Sequence, residues 1–289
     1  MTCEFDFLKK EEFPRLYKCF VEAFADYYLD ASYMTEQILF NRVIKNGVDF
    51  ASSVGAFDNG KMVGFTIVGI DRWKNDMAAF DAGTGIIPEY RGQGVARQMF
   101  DFAIPKLKKQ GVKKFLLEVL QVNKAAIKAY SKTGFRITRE FDCFEMQVED
   151  FIFPQKNPSG ITIQPVEKDR LSFFSQHTDW HPSWENSFSS IRRIPDEVML
   201  YGAFSGTQCI GLLVYYPGLD WLMSLVVVKA YRRCGVASQL MAHCIDNFPA
   251  DKTIIKAVNI EHTDAATINL LTQLGFKLFG SQFEMEYNI

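Results

Sequence analysis

No apolar run in this 289-residue chain approaches the ~18–20 residues that a helix needs to cross a bilayer. A membrane partner is therefore not expected. Lys and Arg (32) are balanced by Asp and Glu (34), and the net charge of −2 and pI near 6.1 leave no basic field for nucleic acid. The densest cationic cluster, Lys106, Lys108 and Lys109, ends a predicted helix, where cations complement the dipole. The six cysteines form no CxxC and no Cys/His zinc spacing, so neither a disulfide framework nor a metal site is expected. GxxxxGK[ST] is missing, which disfavours nucleotide hydrolysis on a P-loop. The first residues, MTCEFDFLKKEE, lack the basic and apolar regions of a signal peptide. These absences point to a reduced, cytoplasmic, soluble protein. The 48% hydrophobic content suffices for one large domain or two of roughly 130–150 residues.

Helical periodicity runs through residues 11–29, with Phe13, Leu16, Tyr17, Phe20, Val21 and Phe24 on one face. A second helix is predicted from Thr35 to Lys45, stopped by Gly47. The period then changes to that of strands: Phe50 to Phe57, the turn Asp58-Asn59-Gly60, Met62 to Ile70, a polar loop from Asp71 to Asp76, and Met77 to Ile87. A helix to about Gly111 follows, then the apolar strand Lys113 to Leu120. Asn123 caps a helix over Lys124 to Thr133, and Gly134 ends it. Residues 135–148 read as one or two closing strands. Alternating elements of this kind predict an α/β fold with a mixed sheet.

The second half repeats the first. VGAFDNGKMVGF at 54–65 aligns without a gap on YGAFSGTQCIGL at 201–212. RGQGVA at 91–96 aligns on RRCGVA at 232–237, and Gly134-Phe135 on Gly275-Phe276, each 141 residues on. Three landmarks in one order predict two tandem copies of one fold. The expected boundaries are 1–150 and 160–289, joined by a turn-rich linker at 151–159.

Residues 85–96, GIIPEYRGQGVA, run from a strand end through a glycine-rich loop into a helix. Loop and first-turn N–H groups lack intrahelical partners, and the dipole adds roughly half a positive charge there. Glycine lets a ligand approach the backbone. The stretch is thus built to hold phosphate.

Arg91, Gly92, Gln93, Gly94, Val95 and Ala96 match R/Q-x-x-G-x-G/A after a strand. Asn123, Ala126, Tyr130, Gly134 and Phe135 match N-x-x-A-x-x-x-Y-x-x-x-G-F. Together they resemble the GNAT family of acetyl-CoA-dependent N-acetyltransferases, and the order of elements extends the resemblance over nearly the whole chain. The resemblance implies two GNAT domains and acetyl transfer to a primary amine. It implies that backbone groups of Gln93, Gly94, Val95 and Ala96 hold the pyrophosphate of acetyl-CoA, with Gly92 shaping the loop. It further implies that Ile86 and Ile87 pair with the pantetheine arm, that a backbone N–H there polarises the thioester carbonyl, that Asn123 contacts the coenzyme, and that Tyr130 is the general acid. On its own residues, Tyr130 beside Ile127 also reads as core, Asn123 as an N-cap, and Arg91 either as a phosphate partner or as the start of the loop.

A general base is sought on the strands beside the expected cleft. Glu118, in the apolar LLEVL, is the first candidate and Asp81 the second; water-mediated deprotonation is the alternative. In the second copy Arg233 replaces Gly92, Leu271 replaces Tyr130, and Asp264 replaces Asn123. That copy is expected to have lost catalysis, with its coenzyme binding left open. The segment HTDWHPSWEN, with His177, Trp180, His181 and Trp184, reads as a surface loop with aromatic anchors or as a lid. Pro182 and the missing third ligand argue against a metal there. The alternative to an enzyme is a non-catalytic acyl-CoA-binding or regulatory module, which has no need of a positioned acid. Transfer from aminoacyl-tRNA would call for a basic groove. The expected acceptor is a small-molecule amine or a peptide amine, met by residues 24–48, 71–77 and 173–194.

Overall fold

A computed structural model describes residues 3–28, 32–154 and 160–289. The chain forms two compact units, one of Met1–Arg139 with Phe283–Ile289, the other of Glu140–Gln282. All six cysteines are free. Among the described residues no helix is long and apolar enough to cross a membrane.

In the first unit, β1 (Glu4–Phe7) precedes α1 (Phe13–Phe24) and α2 (Glu36–Lys45). α1 buries Phe13, Leu16 and Phe20 as expected, with Cys19 and Ala23 beside them, while Val21 is exposed. Thr35 caps α2 by accepting the Ile38 N–H at 3.2 Å. The sheet continues with β2 (Val54–Asp58), β3 (Lys61–Trp73) and β4 (Asp76–Ile86). After α3 (Val95–Lys109), β5 (Lys114–Leu120) pairs parallel to β4, and α4 (Lys124–Thr133) leads into β6 (Arg136–Gln147). Asn123 caps α4 through the Ala126 N–H at 3.0 Å, and Gly134 leaves it at φ 110°.

Two local expectations are corrected. Residues 50–52 form a 3-10 turn, not the start of a strand, because Asp49 captures the N–H of Ala51 and the hydroxyl of Ser52. The predicted loop from Asp71 to Asp76 is mostly strand: the β3–β4 hairpin pairs out to Trp73 and Asp76, and the turn needs only two residues. Buried Trp73 anchors that extension.

The second unit takes residues 140–147 of β6, then β7 (Ile161–Pro165), α5 (Arg170–Phe174), α6 (Phe188–Arg193), β8 (Met199–Ser205), β9 (Gln208–Tyr216) and β10 (Trp221–Val227). After α7 (Val236–Asp246) come β11 (Ile254–Glu261), α8 (Ala265–Gln273) and β12 (Lys277–Asn288). Its core gathers Leu213, Tyr215, Leu240, Met241, Ile255 and Leu271.

The closing strands depart from a simple tandem. β6 and β12 are equivalent copies, 141 residues apart. Yet β6 pairs with β11 of the second unit, and the C-terminal end of β12 lies beside β5, where the Ile289 N–H donates to the Lys113 carbonyl at 2.9 Å. The halves therefore exchange their last strands, and the division falls inside β6 rather than near residue 150. Residues 155–159 of the expected linker lie outside the described residues. Its start is packed: Phe151 is buried, and the Ile152 N–H donates to the Leu274 carbonyl at 3.1 Å.

Candidate active site

Parallel pairing of β4 with β5 runs from Ala78 opposite Lys114 to Asp81 opposite Leu117. Beyond that point the two strands part, leaving the ends of β4 and β5 to flank a cleft. The β3–β4 register also slips here. Ile67 faces Gly83 and Val68 faces Asp81, so Ala82 is the extra residue of a bulge.

The bulge sets Asp81 inward. Its residue is 6% exposed, and it accepts the Thr84 hydroxyl at 2.8 Å and the Gly83 N–H at 3.1 Å. The Tyr130 hydroxyl lies close by. Burial pushes the Asp81 carboxyl up to about 7, against the downward pull of Thr84, Gly83 and Tyr130. Tyr130 is held from α4 by edge contacts with Phe100 and Phe135, each 5.9 Å between ring centres. Burial first, then the nearby charge of Asp81, raise its phenol well above the usual value. Buried Asp81 and half-buried Tyr130 thus lie side by side where the strands separate.

Glu118 is not brought to this pair. It follows Leu117 on β5, and strand alternation turns it to the face opposite Phe115 and Leu117, the latter opposite Asp81 in the register. Of the two candidate bases, Asp81 is the one that lies beside Tyr130. Asp81 is marked in the sequence by an acid between an apolar run and the glycines Gly83 and Gly85, but only the bulge shows where it points.

The glycine loop has the expected backbone. Gly92 (φ 74°) and Gly94 (φ 78°) are both left-handed, and Gly94 caps α3. No acidic residue occupies the first turn of α3. A Cβ on Gly92 would meet nothing within 4 Å, and one on Gly94 only the Gln98 amide at 3.8 Å, so conformation and not crowding demands glycine. Val95 is buried, Ala96 half-buried, and Gln93 ties its side chain to the Glu89 carbonyl at 2.9 Å. The first-turn N–H groups point outward.

At the strand end the two isoleucines differ. The Ile87 N–H donates to the Val63 carbonyl at 3.0 Å, so it is turned toward β3. Ile86 sits opposite Gly64 in the same antiparallel register, and its N–H and carbonyl consequently point the other way, toward the cleft. Thr84, opposite Thr66, does the same. Of the two, only Ile86 has a backbone N–H turned away from β3.

Arg91 is fully engaged within the protein. It forms a two-pronged pair with Asp26 at 2.7 Å and donates to the carbonyls of Ala23 (2.9 Å) and Ile86 (3.0 Å). It ties the loop to the end of α1 and is not a free phosphate partner. Asn123 likewise uses both ends of its amide, one on Ala126 and one on the Tyr27 hydroxyl. Tyr27 was not singled out in the sequence.

The profile of the Acetyltransferase (GNAT) family matches residues 13–135 and, separately, residues 163–276. The chain belongs to the GNAT family. Among its relatives, "N-alpha-acetyltransferase 30" of Schizosaccharomyces pombe is 31% identical over 81 residues, 28% of this chain and 54% of that protein. The match thus spans about half the length of that curated relative. A GCN5-related N-acetyltransferase from Sphaerobacter thermophilus shares the fold with a TM-score of 0.72 and 12% identity, over 99% of this chain and 95% of the other. A tandem GNAT protein from the clavulanic acid biosynthesis pathway gives 0.74 and 12%, over 99% and 98%.

The second GNAT unit repeats the frame with different residues at two positions. Arg232 reproduces the Arg91 tie, pairing with Asp179 and donating to the carbonyls of His177 (2.8 Å) and Val227 (2.9 Å). Arg233 takes up the left-handed turn of Gly92 at φ 63°, and Gly235 that of Gly94 at φ 81°. The loop shape therefore survives an arginine, at a backbone cost of ~1–2 kcal/mol. The Asp81 and Tyr130 side chains are not repeated. The repeat places Leu222 at the position of Asp81 and Leu271 at that of Tyr130, and both leucines are buried in the core.

Proposed function

We propose that the N-terminal unit catalyses transfer of the acetyl group of acetyl-CoA to a primary amine. The observation that carries this reading is the Asp81–Tyr130 contact at the point where β4 and β5 part, replaced by two leucines in the other unit. A module that only binds has no use for a desolvated acid beside a base.

The residues present suit acetyl-CoA. Backbone N–H groups from Gly92 to Ala96 would hold the pyrophosphate, and the cleft-facing backbone of Thr84 and Ile86 would pair with the amide-bearing arm in the manner of an added strand. Bound there, acetyl-CoA supplies the activated acetyl group. Asp81, ionised above about pH 7, accepts a proton from the incoming amine. Tyr130 keeps its proton at any ordinary pH and gives it to the departing sulfur. Their direct contact lets the proton taken by Asp81 return to Tyr130.

The acceptor is proposed to be a small-molecule or peptide amine, and the likeness to an N-alpha-acetyltransferase adds peptide α-amines to the panel. Release of CoA thiol should depend on a primary amine, with an N-acetylated product by mass. A panel of polyamines, amino acids and free-N-terminus peptides that gives no amine-dependent release would favour the binding-module reading.

The loop assignment has its own test. Gly94→Glu puts a carboxylate where phosphate would sit, in a left-handed conformation that glycine alone tolerates well. The KM for acetyl-CoA should rise about tenfold or more, equivalent to roughly 1.4 kcal/mol. An unchanged KM would remove the loop from the coenzyme site.

A further inference from the structure

α4 carries a row of cations that the catalytic proposal does not use. Lys124, Lys128 and Lys132 stand four residues apart, so they share one exposed face of the ten-residue helix over about 12 Å. Arg136, exposed at the start of β6, continues the row. Among the described residues none of these four side chains has a hydrogen bond or an ion pair. From Val119 to Arg139 the sequence holds no Asp or Glu to neutralise them locally. Lys128 and Lys132 lie about 160° around the helix from Tyr130. The Tyr130 ring packs on Phe100 and Phe135, so the row faces away from the Asp81–Tyr130 site.

The helix gains little from these lysines. Lys124 opens α4, where a cation opposes the dipole. Each successive pair sets like charges at i and i+4, which destabilises a helix. Only Lys132, in the last turn, suits the dipole. The repeat shows that the helix forms without them. In α8 the three positions hold Ala265, Asn269 and Gln273, and Lys277, at the position of Arg136, pairs with Asp150 at 3.5 Å. A row of uncompensated charge that local stability disfavours and the repeat lacks marks a surface for a partner of opposite charge.

We propose that this face of α4 docks an acidic helical segment of a protein partner. Glutamates at i, i+4 and i+8 repeat at the lysine interval of about 6 Å, so a helix laid along α4 sets one carboxylate against each ammonium. Val122, 62% exposed just before the cap, and Ile137, 48% exposed just after Arg136, add aliphatic contact at the two ends. Nucleic acid fits less well. The exposed positions of α4 are Lys124, Ala125, Lys128, Ser131 and Lys132, with no aromatic ring for base stacking. The row is single, and a net charge of −2 supplies no wider basic field. The docking face consists of exposed residues of the first unit and does not depend on the reaction proposed there.

The test uses the full chain and a fluorescein-labelled helical peptide with glutamates at i, i+4 and i+8, beside its glutamine counterpart and a single-stranded oligonucleotide. Fluorescence anisotropy should saturate with the glutamate peptide, weaken as salt is raised, and stay flat with the glutamine peptide. Lys124→Glu, Lys128→Glu and Lys132→Glu together should weaken the glutamate peptide about tenfold or more, with thermal melting to check the fold. Lys128→Gln alone should give a smaller loss in the same direction at an unchanged melting temperature. By calorimetry the triple variant should bind acetyl-CoA as the wild type does. Loss of acetyl-CoA affinity would assign the lysines to the coenzyme, and tighter binding of the oligonucleotide than of the peptide would assign them to nucleic acid. Either outcome overturns the inference, as does a glutamate peptide that ignores the charge reversal or gives no saturable signal at millimolar protein.

Discussion

Asp81→Asn should lower kcat/KM for the amine about 10²–10³-fold, within the usual range for losing a general base. The wild-type profile should rise with pH through about 7, where the Asp81 carboxyl ionises, and that limb should vanish in the variant. Stability supplies a second readout. The folded pKa lies above the ordinary carboxylate value, so the fold favours protonated Asp81. Its stabilising contribution is present below about pH 4 and is lost as pH rises through about 7. The ionised, buried carboxylate then costs the fold on the order of a few kcal/mol. Asparagine never ionises, and its Oδ1 can still accept the Gly83 N–H. The melting temperature of the variant relative to wild type should therefore climb between about pH 4 and pH 7 and level off above it. A variant that is less stable by a constant amount and keeps its pH profile would show Asp81 to be structural.

The repeat, the glycine loop, the cap at Asn123 and the two-domain fold were legible because each rests on local chemistry: a left-handed glycine, an Asx cap, a strand period. What was not legible depends on geometry that local patterns leave free. β6 and β12 are copies of one strand, so no hydrophobic pattern says which sheet each will close. That Asp81 rather than Glu118 lies beside Tyr130 depends on the β4–β5 register, in which Asp81 sits opposite Leu117 and Glu118 one residue further on. Arg91 looked equally suited to a phosphate or to the loop; Asp26, 65 residues earlier, decided it. The split between Ile86 and Ile87 follows from hydrogen-bond register, which becomes fixed only once β3 is paired.

Tyr130→Phe removes one hydroxyl and keeps the ring against Phe100 and Phe135, so the fold should hold. We expect kcat to fall about 10²-fold, with the KM for acetyl-CoA changed by no more than a few-fold, since the lost interaction serves proton transfer rather than binding. The variant also tests the pairing itself. The Tyr130 hydrogen bond pulls the Asp81 carboxyl downward, so without it that carboxyl should titrate at higher pH, and the acid limb of the profile should move up. A tyrosine that merely fills space would leave that limb where it was. The second unit makes the complementary case. Leu271 is wholly buried, with Leu222 at the position of Asp81. Leu271→Tyr alone would bury a hydroxyl without its acceptor, at a cost of ~1–3 kcal/mol and with no gain in activity. On the proposed mechanism the two positions work only together, since the acid needs the carboxylate beside it, and both are leucine in the second unit.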